Sequence, residues 1–271
     1  MEMNGKIGIN FETRHNQNVL YMILYFSGTG NSKWVAERIV AAFGDVAVSM
    51  EKSDGIIDIS EGEMFGIVTP THWWELPAYV REFLSRAVFG KTIPKYSFIV
   101  ATYGTTPGCT YEDARRILAC KGISTDAGFG VKMPDTWTPL FDLSDSEDVA
   151  RQNREAERYI DAAIDGIRQR LTGNRMEKKI PYAVRIFTDP LLNSERKTKN
   201  FYVEDQCIGC GLCAGRCPVQ AIEIREKRPV WVKKQCTLCF RCLHFCPKFA
   251  IQYGCGRTKK HGQYRNPNTK I

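Results

Sequence analysis

The chain has 271 residues, of which 43% are apolar and 25% charged, and a formal net charge of +8. That length allows a sizeable core and suits two domains better than one, and the composition excludes fibrous and disordered classes. The longest apolar run, VLYMILYF from Val19 to Phe26, is too short to cross a bilayer and lacks the flanks of a signal peptide, so a cytoplasmic chain without a membrane partner is expected. Most of the excess positive charge lies in segment 173–200 and in the tail 257–271. Charge so placed reads as solvated, or as steering for an acidic protein partner, and not as a nucleic-acid surface.

Residues 1–18 are polar and unpatterned apart from KIGINF, and read as an N-terminal extension. Over residues 19–172, apolar runs alternate with helical patterns: LYMILYF, a helix from Ser32 to Phe43, VAVSM, MFGIVTP, a helix near Leu76 to Phe89, SFIVATY, a helix near Tyr111 to Cys120, AGFGVKM, and a charged helix near Ser146 to Leu171. Strands alternating with helices imply a parallel sheet covered on both faces. The prediction is an α/β, doubly wound, five-stranded parallel sheet. The basic connecting segment 173–200 lacks that rhythm, yet YAVRIFTDPLL is apolar enough to dock on one or both domains. Residues 201–256 form a second domain, too short to rely on an apolar core alone, and 257–271 a basic tail.

That second domain contains CIGCGLCAGRCP from Cys207 and CTLCFRCLHFCP from Cys236. A shift of 29 residues carries Cys207, Cys210, Cys213 and Cys217 onto Cys236, Cys239, Cys242 and Cys246, and Pro218 onto Pro247. The spacing C-x2-C-x2-C-x3-C-P is the bacterial ferredoxin run, whose fourth cysteine belongs to the other cluster. Cluster one is therefore assigned Cys207, Cys210, Cys213 and Cys246, and cluster two Cys236, Cys239, Cys242 and Cys217. Paired CxxC motifs are also zinc-ribbon spacing, but four cysteines followed by proline, twice in register, favour clusters. Of the remaining cysteines, Cys120 and Cys255 read as ordinary free thiols, and Cys109 draws attention only through its loop. His244 reads as a packing or surface residue.

After the first strand comes FSGTGNSKW. A strand, a short Gly/Ser/Thr loop and a helix N-terminus make an anion site, where backbone N–H groups and the helix dipole meet a phosphate. Ser27, Gly28, Thr29, Gly30, Asn31 and Ser32 are the candidates. The loop lacks the Gly-Lys-[Ser/Thr] of a P-loop, and Lys33 stands where a dinucleotide fingerprint needs its third glycine. Glu51 falls near the place of a ribose-binding acid and keeps a dinucleotide open, but a ring of hydroxyls and amides suits a mononucleotide better.

YFSGTGNS resembles the phosphate loop of flavodoxins, and the chain from about Leu20 to Gly256 resembles the flavodoxin/bacterial-type 2[4Fe-4S] ferredoxin fusion proteins of anaerobic microbes. The resemblance implies a flavodoxin-like sheet with noncovalent FMN, followed by a small α+β bacterial-ferredoxin domain with two [4Fe-4S] clusters. It further implies that TPTHWWELP, with Thr71, Trp73 and Trp74, and TYGTTPGC, with Tyr103, Gly104, Thr105 and Thr106, hold the flavin ring. Trp137 is a weaker candidate, and His72 reads as structural.

The functional expectation is an electron-transfer protein relaying electrons between the clusters and FMN, partnered by another redox protein. The alternative is an FMN-dependent oxidoreductase that reduces a small substrate with cluster-delivered electrons. A reductase fed by NAD(P)H is a third reading, for which the sequence shows no second nucleotide fingerprint. No constellation for substrate chemistry stands out, and if one chain held flavin and clusters too far apart, a homodimer would bring them together.

Overall fold

The computed structural model describes residues 21–44, 46–59, 64–177 and 180–270, so the N-terminal extension predicted at 1–18 lies outside the described residues. Strand β1 (Tyr21–Tyr25) leads into helix α1 (Asn31–Phe43), followed by β2 (Val46–Ser49), a short β3 (Ile56–Ile57) and β4 (Met64–Pro70). Next come α2 (Ala78–Arg86), a short β5 (Val88–Phe89), β6 (Tyr96–Tyr103), α3 (Thr110–Ala119), β7 (Ala127–Lys132) and α4 (Ser146–Arg168). The helix expected to run to Phe89 stops earlier, because Val88 and Phe89 leave it to pair with Ile56 and Ile57.

The main sheet is parallel, six-stranded and ordered β2-β1-β4-β6-β7-β8, where β8 is Gly173–Asn174. Its five long strands follow the 2-1-3-4-5 order of a flavodoxin-like fold. The sixth strand exceeds the predicted five. It is two residues of main-chain pairing, Gly173 with Ala127 and Asn174 with Gly128, and carries no apolar run that could announce it.

Central strands β4 and β6 are buried on both sides, which is why they read as continuous apolar runs rather than alternating ones. On one face Leu24, Phe65, Ile67 and Ile99 pack with Leu84 and Leu118. On the other, Ile23, Val68 and Phe98 pack with Trp34 of α1 and Ile160 and Ile167 of α4. Helix α4 presents an apolar stripe inward and charge outward, and its start is capped by Asp145, whose carboxylate accepts N–H bonds from Glu147 and Asp148.

The connecting segment, which carries no helical pattern in the sequence, forms α5 (Arg185–Glu195) despite Pro190 inside it. Tertiary contacts override the propensity: Thr188 donates to Glu75 Oε1 at 2.9 Å and Arg185 Nη2 to Glu75 Oε2 at 3.0 Å, while Leu192 joins the small domain's core. That domain comprises β9 (Phe201–Val203), α6 (Leu212–Gly215), the hairpin β10 (Ile222–Arg225) and β11 (Arg228–Trp231), α7 (Arg241–His244) and β12 (Ile251–Tyr253), which pairs antiparallel with β9. The 29-residue shift carries α6 onto α7. A last turn, α8 (Arg257–His261), begins the tail. Among the described residues no helix is long and apolar enough to cross a membrane.

Candidate functional site

The loop between β1 and α1 turns at Gly30, whose φ of 111° is a left-handed conformation open to glycine. The Gly30 N–H donates to Ser27 Oγ at 3.1 Å, and the Ser32 and Thr102 hydroxyls share a hydrogen bond of 2.8 Å. The first turn of α1 carries no acidic residue, so nothing opposes an anion at its N-terminus. Ser27, Gly28, Thr29, Asn31 and Ser32 line a polar cleft. A cleft of about 380 Å³, largely apolar, lies beside it between the Thr71–Trp74 and Tyr103–Thr106 loops and Trp137.

Thr71, Tyr103, Gly104 and Asp135 line both clefts, so the two are continuous. Of the residues predicted to hold the flavin, all but Gly30 line one or the other. Gly30 instead shapes the turn, and a Cβ on it would lie 2.7 Å from the Cβ of Asn266.

The cleft suits a phosphate at one end and a flat ring at the other. Trp73 Nε1 is buried without a hydrogen-bond partner, and such an orphan costs about 1–3 kcal/mol. An acceptor on a ring in the cleft would relieve it. Trp73 and Trp74 both have positive φ, 50° and 63°, a conformation bulky residues adopt only when surrounding structure imposes it. Here reciprocal His72–Glu75 backbone bonds of 3.0 Å close the turn, and the Cys109 N–H donates to the Trp74 carbonyl at 2.7 Å.

Asp135, three residues beyond β7, was not singled out in the sequence, although its place after a strand was the available signal. Burial pushes its carboxyl up to about 6, against the opposing pull of the Trp137 N–H bond at 3.0 Å.

The eight cysteines of the two runs line two separate cavities. One cavity is lined by Cys207, Cys210, Cys213 and Cys246, and another by Cys217, Cys236, Cys239 and Cys242. Backbone amides already point at sulfur: Ala221 N to Cys217 Sγ at 3.2 Å, Leu238 N to Cys236 Sγ at 3.3 Å, and Ala250 N to Cys246 Sγ at 3.2 Å. Thiolate sulfurs with N–H donors around a cavity fit an iron–sulfur cluster.

The backbone of the two repeats matches even where the side chains do not. Gly209 (φ 66°) corresponds to Leu238 (60°), and Gly211 (76°) to Phe240 (52°). A left-handed residue with a Cβ costs roughly 1–2 kcal/mol, so glycine is the cheaper choice in both repeats. The second repeat tolerates the cost where its side chains reach the other half: Leu238, Cys239 and Phe240 form a wall of the ring cleft. Cys239 thus lines the second cysteine cavity and both parts of the adjoining cleft. Trp137 packs against Phe240 with ring centroids 4.8 Å apart, and against Trp73 at 5.7 Å.

Several residues take other roles. The Glu51 carboxylate is held by Arg241 at 2.5 and 2.6 Å, which engages the acid that a dinucleotide ribose would need. Burial pushes the Cys109 thiol up to about 11, and its Sγ donates to the Ile180 carbonyl, a packing role. His72 Nδ1 donates to the Thr237 carbonyl at 3.1 Å, joining the two halves. His244 is fully buried, its Nε2 donating to Thr136 O and its Nδ1 accepting the Tyr264 N–H, at 3.0 and 3.1 Å. The basic tail keeps Arg257, Lys259, Lys260, Arg265 and Lys270 exposed, as its charge suggests, while its Tyr264 and Asn266 are buried and bond to Asn31 of α1.

A family described as a 4Fe-4S dicluster domain matches residues 195–253. Curated protein sequences returned no match. Among solved structures, the chain is similar to the two-electron reduced flavodoxin of Megasphaera elsdenii, at 21% identity and TM-score 0.37, over 54% of this chain and 98% of that one. It is also similar to a Streptococcus pneumoniae TIGR4 flavodoxin, at 18% identity and TM-score 0.34, over 53% and 98% of the two chains. A third similarity is to rubredoxin oxygen:oxidoreductase from Desulfovibrio gigas, at 16% identity and TM-score 0.34, over 54% of this chain. The match spans only 36% of that larger protein.

Proposed function

We propose that this chain, a flavodoxin-like domain fused to a 4Fe-4S dicluster ferredoxin domain, relays electrons between two [4Fe-4S] clusters and a noncovalent FMN. When bound, the clusters would supply one-electron centres and FMN a centre that takes up two electrons in single steps. The observation that carries the reading is Cys239, which lines the second cysteine cavity and both ends of the cleft. That shared lining supports electron exchange between the second cluster and the flavin within one chain.

The residues divide the work. The Ser27–Ser32 loop binds phosphate, Trp73 and Trp137 shape the ring cleft and exclude water, and Leu238 and Phe240 close it from the ferredoxin side. The first cavity lies toward solvent, with Cys210 exposed and Ile208 at 59%, so an external redox protein would exchange electrons there.

A second reading is supported by a cleft of about 390 Å³, lined by Lys132, Asp142, Arg151 and Glu155, that shares Gly104, Thr105, Asp135 and Phe141 with the ring cleft. Such a cleft would admit a small polar substrate to be reduced beside FMN.

Anaerobic purification with iron, sulfide and flavin analysis tests the composition; about eight irons and one FMN are expected. Stopped-flow mixing with a one-electron donor then tests the path. Cluster bleaching should precede flavin bleaching, and equal flavin rates in protein lacking cluster two would defeat the relay. Substrate-dependent reoxidation of the flavin would favour the enzyme.

A further inference from the structure

The phosphate loop is tied down by residues more than two hundred positions away. Arg241, 6% exposed, donates from Nη2 to the Ser27 carbonyl at 2.6 Å and from Nε to the Gly28 carbonyl at 3.3 Å. The backbone N–H of Asn266 donates to the Thr29 carbonyl at 2.9 Å. Three consecutive carbonyls of the loop are thus held by the C-terminal half. In a planar trans peptide the N–H points opposite to the carbonyl. Fixing the Ser27 and Gly28 carbonyls on Arg241 therefore turns the Gly28 and Thr29 amides away from it, as a phosphate cradle requires.

The tail completes the grip. Asn31 Oδ1 accepts from Tyr264 Oη at 2.7 Å and from Asn266 Nδ2 at 3.0 Å, and a Cβ on Gly30 would meet Asn266. Arg241 is itself fixed by Glu51 and by the Arg216 carbonyl at 3.0 Å. It opens α7 between Cys239 and Cys242, on the segment that rings the second cavity, so its position depends on that segment being formed.

We infer that the ferredoxin half and its tail set the shape of the phosphate loop, through Arg241, Tyr264 and Asn266, so that FMN is captured tightly only after the second cluster loop has folded. This rests on the reading of the cleft as an FMN site and adds to it an order of assembly: flavin loads last. A chain without its clusters would hold FMN weakly and would not expose an isolated flavin to oxygen. The three side chains are positioning residues that act through the loop.

Because the effect passes through the phosphate, it separates FMN from riboflavin, which has the same ring and no phosphate. Both would be titrated into cluster-loaded, flavin-free protein carrying Arg241→Lys, the pair Tyr264→Phe and Asn266→Ala, or Lys260→Ala as a tail control, after iron content has shown that clusters are retained. FMN should bind about tenfold more weakly in the first two, the loss expected for one hydrogen bond to a charged group or two neutral ones. Riboflavin affinity should move less than about twofold, and the control should match the unaltered chain. The tail pair contains no cluster cysteine neighbour and keeps the test open if Arg241→Lys loses its cluster. Equal losses for FMN and riboflavin, or unchanged FMN binding, would overturn the inference. No FMN binding by the unaltered chain would instead overturn the flavin reading, and this inference with it.

Discussion

Gly28 of the loop between β1 and α1 lies against Cys239 of the second cysteine run, so closely that a Cβ on the glycine would stand 2.6 Å from the Cys239 carbonyl oxygen. Gly28→Ala is therefore expected to weaken FMN binding and perturb the cluster-two EPR signal together, at about 1–3 kcal/mol of overpacking, while cluster one is unchanged. A flavin effect with an unaltered cluster-two signal would show that the contact does not couple the sites.

The exchanged ligands make a second outcome specific. Cys217 ends the first cysteine run in sequence but lines the cavity of Cys236, Cys239 and Cys242. Cys217→Ala should leave about four irons, held by the Cys207 set. Iron analysis with EPR checks this, and loss of the Cys207 cluster alone would contradict the partition.

Trp73 combines a positive φ with a buried, unpartnered indole N–H. If a ring acceptor satisfies that donor, Trp73→Phe should weaken FMN and riboflavin alike, by about 1–2 kcal/mol. This pattern differs from that of the phosphate-loop variants, and fluorescence titration distinguishes the two. A variant that binds riboflavin as tightly as the parent would place the ring elsewhere.

Asp135 should leave a pH signature. Burial raises its carboxyl from 3.8 to about 6, so in the folded state ionisation is disfavoured. Its contribution to stability is fully present below pH 3.8 and is lost as the pH rises through about 6. Asp135→Asn, which cannot ionise, should melt higher than the parent above pH 6 in flavin-free protein and lose that advantage near pH 4. A difference independent of pH would assign the effect to packing.

The connecting helix depends on a buried ionic cluster. Glu75 and Asp113 are each 1% exposed, and Arg185 bonds both, with Arg81 donating to Asp113 at 2.9 Å. Removing Arg185 leaves two buried carboxylates short of a partner, so Arg185→Met should destabilise the fold by roughly 3–5 kcal/mol. Chemical denaturation measures it. A loss under about 1 kcal/mol would mean that Arg81 alone compensates.

Much of this organisation is written locally. Residues that line a cysteine cavity must be spaced to reach its corners, so the repeats at Cys207 and Cys236 were legible, as was the Gly/Ser/Thr turn between β1 and α1. Buried parallel strands must be apolar throughout, which exposed β1, β4, β6 and the sheet they form. Strand β8 escaped because two residues of backbone pairing need no particular side chain, and α5 because its stability comes from Glu75, Asp113 and the small-domain core rather than from its own Pro-containing sequence.

What sequence alone determined is therefore what depends on neighbours along the chain: cysteine spacing, strand and helix period, and the glycine-bearing turn after β1. Tertiary structure decided which partners met. It set Cys239 beside the cleft, turned Glu51 toward Arg241, raised Asp135 by burial, and laid a basic tail on the loop at Gly30. None of these has a fixed sequence separation, because each arises from the docking of one folded half on the other, where distance in space is unrelated to distance along the chain.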